Sequence, residues 1–274
     1  NIQSDIINKA YVGLFCDGDV SGPFSGAYSY EDDMTGSIRA KAIAYAIDND
    51  GDLDRGGVRK CFAVRLLASS YQFPDTNFNW WASVRSTVLI DFGPRKRGTE
   101  TDPFRDFGDG TLGYPNGDRN KYYVLSHDEW DYGQVQTYSI QPDNPIWCYP
   151  PENLAANITD GIDSRFCLSF GPIDLCPDSS LRIIFAMFTA DSIHLIEDNL
   201  NYLPENVPKY LCNLDFRDML VNAELASNLV DSVLNPLLPV TGLQITHGDW
   251  DSVVVRWDPW CFDDVRRYEQ YLSE

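Results

Sequence analysis

The chain has 274 residues and a mass of 31.0 kDa, which allows one large domain or two unequal ones. Its 41 acidic and 21 basic residues give a formal net charge of −20, which excludes nucleic-acid binding by phosphate neutralisation and disfavours docking on anionic lipid. With 43% hydrophobic residues it is no disordered acidic tail, and no run approaches the ~18 uncharged apolar residues of a membrane helix. We therefore expect a folded protein that is not inserted in a membrane. The first residues lack the layout of a signal peptide, so we expect Asn1 to follow a processing site.

Short runs of β-forming residues, separated by turn-forming residues, make up most of the chain as far as residue 189. Residues 10–20 predict a strand that ends in the corner Asp17-Gly18-Asp19. The run at 37–54 fits either a strand buried on both faces or a short helix. We favour the strand, because an acidic turn ends it and a β-like run follows at 58–67, which gives a meander. Further strands are predicted as a pair within 79–92 and as runs at 122–125, 135–140, 165–170 and 181–189, whereas 94–121 has little periodicity.

One helix is predicted, over residues 215–234. Its apolar residues recur every three or four positions, and Asp215 can cap its start with Asp218 in the first turn. We expect this helix to lie across a sheet face or its end. Together the elements predict an all-β protein, in which residues 1–236 form a jelly-roll-like or immunoglobulin-like β-sandwich with one amphipathic helix.

The C-terminal part, residues 237–274, resembles the opening of a fibronectin type III domain. The resemblance rests on Pro239-x-x-Gly242-Leu243, on alternating apolar residues at 253–257 and on Tyr268-x-x-Tyr271. It covers three strands, whereas the family needs about seven to close two sheets. The apolar residues left exposed, which we take as candidate interface residues, are Leu243, Ile245, Val253, Val255, Trp257, Tyr268 and Tyr271. Either the chain continues, or these strands pack on the main domain, or another copy covers them.

The main domain resembles a group of uncharacterised secreted bacterial proteins that carry it ahead of a fibronectin-like module. The likeness rests on Asn79-Trp80-Trp81 and on the segments DFGPRKRGT (91–99), DPFRDFGDG (102–110), YPNGDRNKYYVLSH (114–127) and DGIDSRFCLSFGPIDL (160–175). The resemblance implies an exported protein, linked to the cell envelope or released, with several domains. It implies no particular activity.

Seven cysteines without a C-x-x-C pair exclude zinc-ribbon and thioredoxin-like sites. Two alternatives stay open: disulfides, as in a secreted or cell-surface protein, or buried thiols. The composition, rich in Asp, Asn, Gly and Tyr, favours the secreted interpretation. The sequon at Asn157 predicts N-glycosylation there.

Clustered carboxylates are the strongest local signal for a ligand. Alternate aspartates on a tight loop can present oxygens to one hard cation, so calcium is expected as a structural ion. The candidate ligands are Asp17, Asp19, Asp32, Asp48, Asp50, Asp52 and Asp54. The spacing does not fit an EF-hand, and a solvated acidic turn is the alternative.

No residue is assigned a catalytic role. Ser126, His127 and Asp128 are adjacent, so their side chains point apart on an extended segment and cannot form a triad. Trp80 and Trp81 face opposite sides of a strand, so one of them is a candidate for an exposed or interface position. Arg95, Lys96 and Arg97 form a basic cluster that is a candidate for docking on an acidic surface of another copy.

From these observations we predict that the chain is a structural subunit of an extracellular or cell-surface fibre. We expect that it is not an enzyme and that its partners are copies of itself. Assembly is expected through strand complementation and aromatic contacts. A secreted carbohydrate-binding or adhesion module, with glycans as partners, is the first alternative. A secreted hydrolase is the second alternative.

Overall fold

The computed structural model describes residues 6–20, 32–51, 59–69, 75–84, 90–99, 115, 117–127, 129–177, 180–233, 244–247 and 253–256. The chain divides into two compact units, Asn1–Ala223 and Glu224–Glu274. The division falls inside the last helix, ahead of the predicted boundary at residue 236, which lies outside the described residues.

The first unit contains two four-stranded antiparallel sheets. Its strands are β1 (Ile7–Asp17), β2 (Asp33–Ile38), β3 (Ile43–Asp48), β4 (Cys61–Ser69), β5 (Asp75–Val84), β6 (Ile90–Phe92), β7 (Ser164–Leu175) and β8 (Ile183–Ala190). The first sheet has the order β1-β7-β5-β6 and the second has the order β2-β3-β4-β8. The predicted β-sandwich is thus confirmed at the level of two antiparallel sheets with few helices.

Four α-helices accompany the strands among the described residues. They are α1 (Gly117–Ser126), α2 (Glu152–Asp160), α3 (Val207–Cys212) and α4 (Arg217–Val233), with 3₁₀ turns at Arg39–Lys41, Gln134–Ser139 and Asn199–Tyr202. The predicted helix at 215–234 corresponds to α4, whose Asp215 accepts a hydrogen bond from the Arg217 amide at 3.0 Å. The prediction of a single helix is wrong.

Alternation along the strands divides the core of the first unit into layers. Between the sheets, Ala44 and Val64 of the second sheet pack with Trp80 and Phe166 of the first. The opposite face of the second sheet packs on α3 and on the start of α4, in a cluster that includes Ile43, Ile47, Ala63, Tyr210, Met219 and Ala223. On the outer face of the first sheet, α1 packs Val124 against Trp81 and Cys167. Helices therefore cover both outer faces of the sandwich.

Two predicted strands are helical instead. Residues 122–125 lie in α1, where Asn120 and Val124, four positions apart, are the buried residues, as expected of a helix face. Residues 135–140 lie at the 3₁₀ turn Gln134–Ser139, which the Thr137 hydroxyl stabilises by donating to the Gln134 carbonyl at 2.7 Å. In both cases a four- to six-residue run was too short to separate a strand from a helical turn.

The second unit contains one described hairpin. Its strands β9 (Gln244–His247) and β10 (Val253–Arg256) are antiparallel, with Val255 opposite Ile245. The third strand predicted here, at 265–272, lies outside the described residues, as do Leu243, Trp257, Tyr268 and Tyr271.

A close backbone approach joins α2 to the start of β2 and the end of β3. Gly161, which follows α2, has a φ of +108°, and a Cβ built there would lie 2.8 Å from the Asp32 carbonyl oxygen. Next to it, the Ile162 amide donates to the Asp33 carbonyl at 3.1 Å, and the Asn49 side-chain amide donates to the Asp160 carbonyl at 2.6 Å. Only glycine satisfies both the backbone angle and the contact.

Substitution of this glycine tests the approach. We expect Gly161→Ala to lower the free energy of unfolding by more than about 2 kcal/mol, because it adds backbone strain and a clash with Asp32. Gly117→Ala is the matched control, since Gly117 also has a positive φ, of +75°, but nothing within 4 Å of a built Cβ. Urea unfolding of both variants measures the difference, and equal losses would contradict the close contact.

Candidate functional site

Three carboxylates meet where β1 ends and β7 begins. Asp17 closes β1, Asp19 follows it, and Asp163 precedes β7. Because β1 and β7 are antiparallel and Asp17 is opposite Arg165, the end of one strand lies beside the start of the other. One carboxylate oxygen from each aspartate lies within 4.8 Å of the other two. We call Asp17, Asp19 and Asp163 the carboxylate group.

Arg165 contacts two members of the carboxylate group. Its Nε lies 3.3 Å from Asp17 Oδ1, and its Nη1 lies 3.1 Å from Asp163 Oδ1. Burial raises the pKa of Asp17; the Arg165 charge opposes this shift, and the charges of Asp19 and Asp163 add to it. One guanidinium thus balances one of three negative charges.

Gly18 allows the corner between Asp17 and Asp19 to lie against the second sheet. A Cβ built at Gly18 would be 2.6 Å from the Cβ of Ala46 in β3. The sequence Asp-Gly-Asp therefore places two carboxylates on either side of the only residue small enough for this contact.

A fourth aspartate, Asp33, lies next to the carboxylate group and is fully buried, with 0% of its surface exposed. It starts β2 opposite Asp48, and its Oδ1 accepts a hydrogen bond from the Val20 amide at 2.8 Å. Burial raises its pKa to about 9; the bond from Val20 opposes this shift, and the charges of Asp32, Asp19 and Asp48 add to it.

The predicted cation ligands are divided by the structure. Asp17 and Asp19 come together, but their third partner is Asp163, which was not predicted. Asp48 and Asp50 are outside this group, and the Asp50 amide donates to Asp48 Oδ1 at 3.2 Å. Asp52 and Asp54 lie outside the described residues. The start of strand β7 at Ser164, directly after an aspartate, was the signal in the sequence that could have identified Asp163.

A buried polar network holds the segment that follows β3. The His194 imidazole donates from Nε2 to the Asp48 carbonyl at 2.9 Å, and Asn199 lies 3.4 Å from its Nδ1. The Tyr210 hydroxyl donates to the Asn49 carbonyl at 2.9 Å. Asp48 and Asn49 are both buried, so this part of the acidic run is not a solvated turn. Sequence reasoning missed His194, Asn199 and Tyr210.

The pKa of His194 gives a stability prediction. Burial lowers this pKa from 6.5 to about 4; the hydrogen bond to Asp48 opposes the shift, and the Arg59 charge adds to it. The folded state therefore binds fewer protons than the unfolded chain between these pH values. The corresponding stability is complete above pH 6.5 and is lost as the pH falls towards 4, by about 3 kcal/mol in total.

NMR titration of the imidazole, assigned by comparison with His194→Gln, measures this shift directly. We expect no protonation of His194 through the range in which a free histidine titrates. We also expect the unfolding free energies of the two proteins to converge as the pH falls through this window. An imidazole that titrates near its ordinary value would contradict the buried network.

The prediction that Trp80 or Trp81 is exposed is wrong, since both have 0% exposure. Trp80 lies between the sheets, and its indole nitrogen donates to the Tyr132 carbonyl at 2.5 Å. Trp81 faces the other way, as predicted for neighbours on a strand, but α1 covers that face.

The basic cluster holds a neighbouring loop. The Arg97 guanidinium donates to the carbonyls of Asn144 and Pro142, and the Arg97 amide donates to the Ile146 carbonyl at 2.9 Å. Lys96 forms a β-bridge with Trp147, and the Arg95 carbonyl accepts from the Cys148 amide at 2.8 Å. The predicted docking role of this cluster stays a prediction.

The thiols, the sequon and the rejected triad can each be located. Among the described cysteines, Cys16, Cys61 and Cys167 are buried thiols, and none of the six forms a disulfide. Asn157 is exposed on α2. The Ser126 hydroxyl donates to the Tyr122 carbonyl at 2.6 Å, whereas His127 Nε2 lies 2.9 Å from Glu129 Oε2 in a buried contact.

Comparison with known proteins gave no match to a family model, to a curated protein or to a solved structure. Among the described residues, no helix has both the length and the apolar character needed to cross a membrane.

Proposed function

We propose that this chain is a structural subunit of an extracellular or cell-surface fibre, which self-assembles by strand addition between copies. The observation that carries the proposal is the edge strand β8. It lies at one end of the order β2-β3-β4-β8, and the described residues include no strand on its outer side. Its sequence, IIFAMFTA, has no charged residue and no proline. Natural edge strands usually carry such residues because they block pairing with another chain.

The direction of the backbone groups supports an open edge at Phe185 and Met187. The Asn222 side chain donates to the Thr189 carbonyl at 2.8 Å, so this carbonyl points away from β4, and α4 covers the end of the edge. Backbone direction alternates along an antiparallel strand. Because the register with β4 is regular here, Met187 and Phe185 direct their backbone groups to the same outer side. These groups are available to a strand of another copy.

Side-chain exposure supports the same edge. Met187 is 60% exposed, and β8 carries apolar side chains on both faces. An exposed apolar strand with unpaired backbone groups is the usual template for strand addition. We therefore place one partner surface on β8, and we assign the other to the C-terminal strands of a second copy.

The proposal also specifies the fold of each part of the chain. We propose a jelly-roll-like or immunoglobulin-like sandwich followed by the first strands of a fibronectin-like module. The hairpin of β9 and β10 supports the second part, because Ile245 and Val255 pair as neighbouring entrance strands would. Export from the cell and N-glycosylation at Asn157 belong to the same proposal.

Carbohydrate binding has less support than assembly. Stacking on sugars needs exposed aromatic rings, but Trp80 and Trp81 are buried, and Trp130 and Trp147 are half-buried against the core between the sheets. A hydrolase also has less support, since two of the three histidines, His127 and His194, are held in buried contacts.

A charge on the edge tests the assembly. We expect Met187→Lys to abolish filaments in negative-stain micrographs and to leave a monomer in sedimentation, because a lysine in β8 repels an incoming strand. Ile146→Lys is the matched control, since Ile146 is 54% exposed but lies outside the sheets, and this variant should assemble like the wild type. Circular dichroism checks that both variants fold.

Two results would contradict the proposal. One is a wild-type chain that stays monomeric at high concentration under conditions that preserve the fold. The other is equal assembly of both lysine variants, which would exclude β8 as the contact.

A further inference from the structure

We propose that a cavity between α1 and the outer face of the first sheet binds a small apolar monocarboxylate. The cavity encloses about 330 Å³, and its lining comes mainly from α1 and from the three neighbouring strands β1, β7 and β5. This inference does not depend on the assembly proposed above, because β8 belongs to the other sheet.

The strands contribute an apolar wall. Phe15 of β1, Cys167 of β7 and Trp81 of β5 line the cavity, and the rings of Phe15 and Trp81 are 5.7 Å apart. Burial raises the pKa of the Cys167 thiol to about 12, and the neighbouring Cys16 adds to this shift, so the thiol is neutral at physiological pH. The sheet side of the cavity therefore carries no charge.

Polar contacts hold α1 above this wall. The Leu125 carbonyl accepts from the Asn77 side-chain amide at 2.9 Å and from the Ser169 hydroxyl at 3.0 Å. One turn earlier, the Tyr122 hydroxyl donates to the Lys9 carbonyl at 3.1 Å. The helix is thus fixed to all three strands and cannot close onto the sheet without breaking these bonds. The cavity is preformed, as is usual for small-molecule sites.

The lining extends from solvent into the buried layer under α1. Phe15 is exposed, whereas Trp81, Val124 and Cys167 are buried. Apolar atoms of a ligand placed against these side chains leave water, and this transfer is the main favourable contribution that such a site can offer.

Lys121 gives the ligand its charge. Among the residues that line the cavity, all of them described, Lys121 alone is charged. It is exposed and lies one turn before Leu125 on the same face of α1. Its side chain has no hydrogen bond or ion pair with another described residue. A cation without a partner beside an apolar cavity complements a ligand that has an apolar body and one anionic end.

The volume limits the size of the ligand. About 330 Å³ is the volume of about eleven water molecules at about 30 Å³ each, so the cavity fits roughly ten non-hydrogen atoms. Octanoate and 3-phenylpropanoate both have this size and one carboxylate. They differ in whether the apolar body is an alkyl chain or an aromatic ring.

Calorimetric titration of the full chain with each acid tests the site. We expect a stoichiometry of one and a dissociation constant below about 1 mM for at least one of them. Salt at about 0.15 M limits the repulsion between the ligand and the net charge of −20. Tighter binding of octanoate identifies an alkyl ligand, and tighter binding of 3-phenylpropanoate identifies an aryl ligand; either result supports the proposal.

Replacement of the cation tests the anionic end. Lys121→Gln should weaken binding of the preferred acid about fivefold and leave binding of octanol, an uncharged probe of similar size, unchanged. Lys41→Gln is the matched control, since Lys41 is also exposed and lies on the second sheet's side of the chain, in the 3₁₀ turn between β2 and β3. It should bind the acid like the wild type.

Removal of the aromatic wall tests the apolar part. Phe15→Ala should weaken binding of both the acid and octanol at least about fivefold, because it removes apolar contact area. Ile146→Ala is the matched control, since Ile146 is an exposed apolar residue outside the cavity. Circular dichroism checks that all four variants fold.

Three results would overturn the proposal. The first is that neither acid binds the wild type at millimolar concentration. The second is that Lys121→Gln and Phe15→Ala bind the acid like the wild type, since the ligand then lies elsewhere. The third is that octanol binds the wild type as tightly as the acid, which would remove the assignment of an anionic ligand.

Discussion

Burial of β7 on both faces is the constraint on which the first unit depends. This strand lies between β1 and β5 in the first sheet, and its side chains alternate between two buried layers. Phe166 and Leu168 fill the space between the sheets, whereas Cys167 lies under α1. A strand in this position accepts few polar substitutions, so charged residues are confined to its ends. Asp163 and Arg165 are at its first end, which explains why the acidic cluster forms there and not along the sheet.

Buried polar side chains replace regular structure where the sheets end. Gln134 accepts from the Thr35 amide at 2.9 Å and donates to the Asp33 carbonyl at 3.1 Å, which joins a 3₁₀ turn to the edge strand β2. His194 and Tyr210 do the same for the segment after β3. Each of these side chains satisfies backbone groups that no strand or helix pairs, so removing one leaves buried donors or acceptors exposed to the apolar core.

The sequence predicted the elements whose periodicity extends far enough to be unambiguous. β1, β4, β8 and α4 were expected within about three residues of their observed bounds. The single strand expected at 37–54 instead covers the end of β2, a 3₁₀ turn and β3, and β7 extends to Leu175, beyond the expected end at residue 170. The missed helices α2 and α3 have nine and six residues, so their apolar faces span two turns at most. The prediction that Trp80 and Trp81 face opposite sides of a strand was correct. The exposure of Trp81, however, depends on α1, part of which was predicted as a strand. An error in one element therefore moved a candidate interface residue into the core.

The carboxylate group shows the same limit for the prediction of a site from the sequence. Asp17 and Asp19 could be predicted because they are neighbours on one tight corner. The proximity of Asp33 and Asp163 to this corner could not be predicted, because strand pairing brings them there from distant parts of the sequence. Residue counts could not reveal them either, since a chain with 41 acidic residues offers many pairs of aspartates. Burial of the Asp33 side chain, which has 0% exposure, is a property that only the folded chain has.

The net charge of −20 limits where copies of the chain could meet in the proposed assembly. Copies of such a chain repel one another at low ionic strength, so a contact between them must lie where charge is absent and must be strong at short range. β8 meets the first condition, because its eight residues carry no charge, and backbone pairing meets the second.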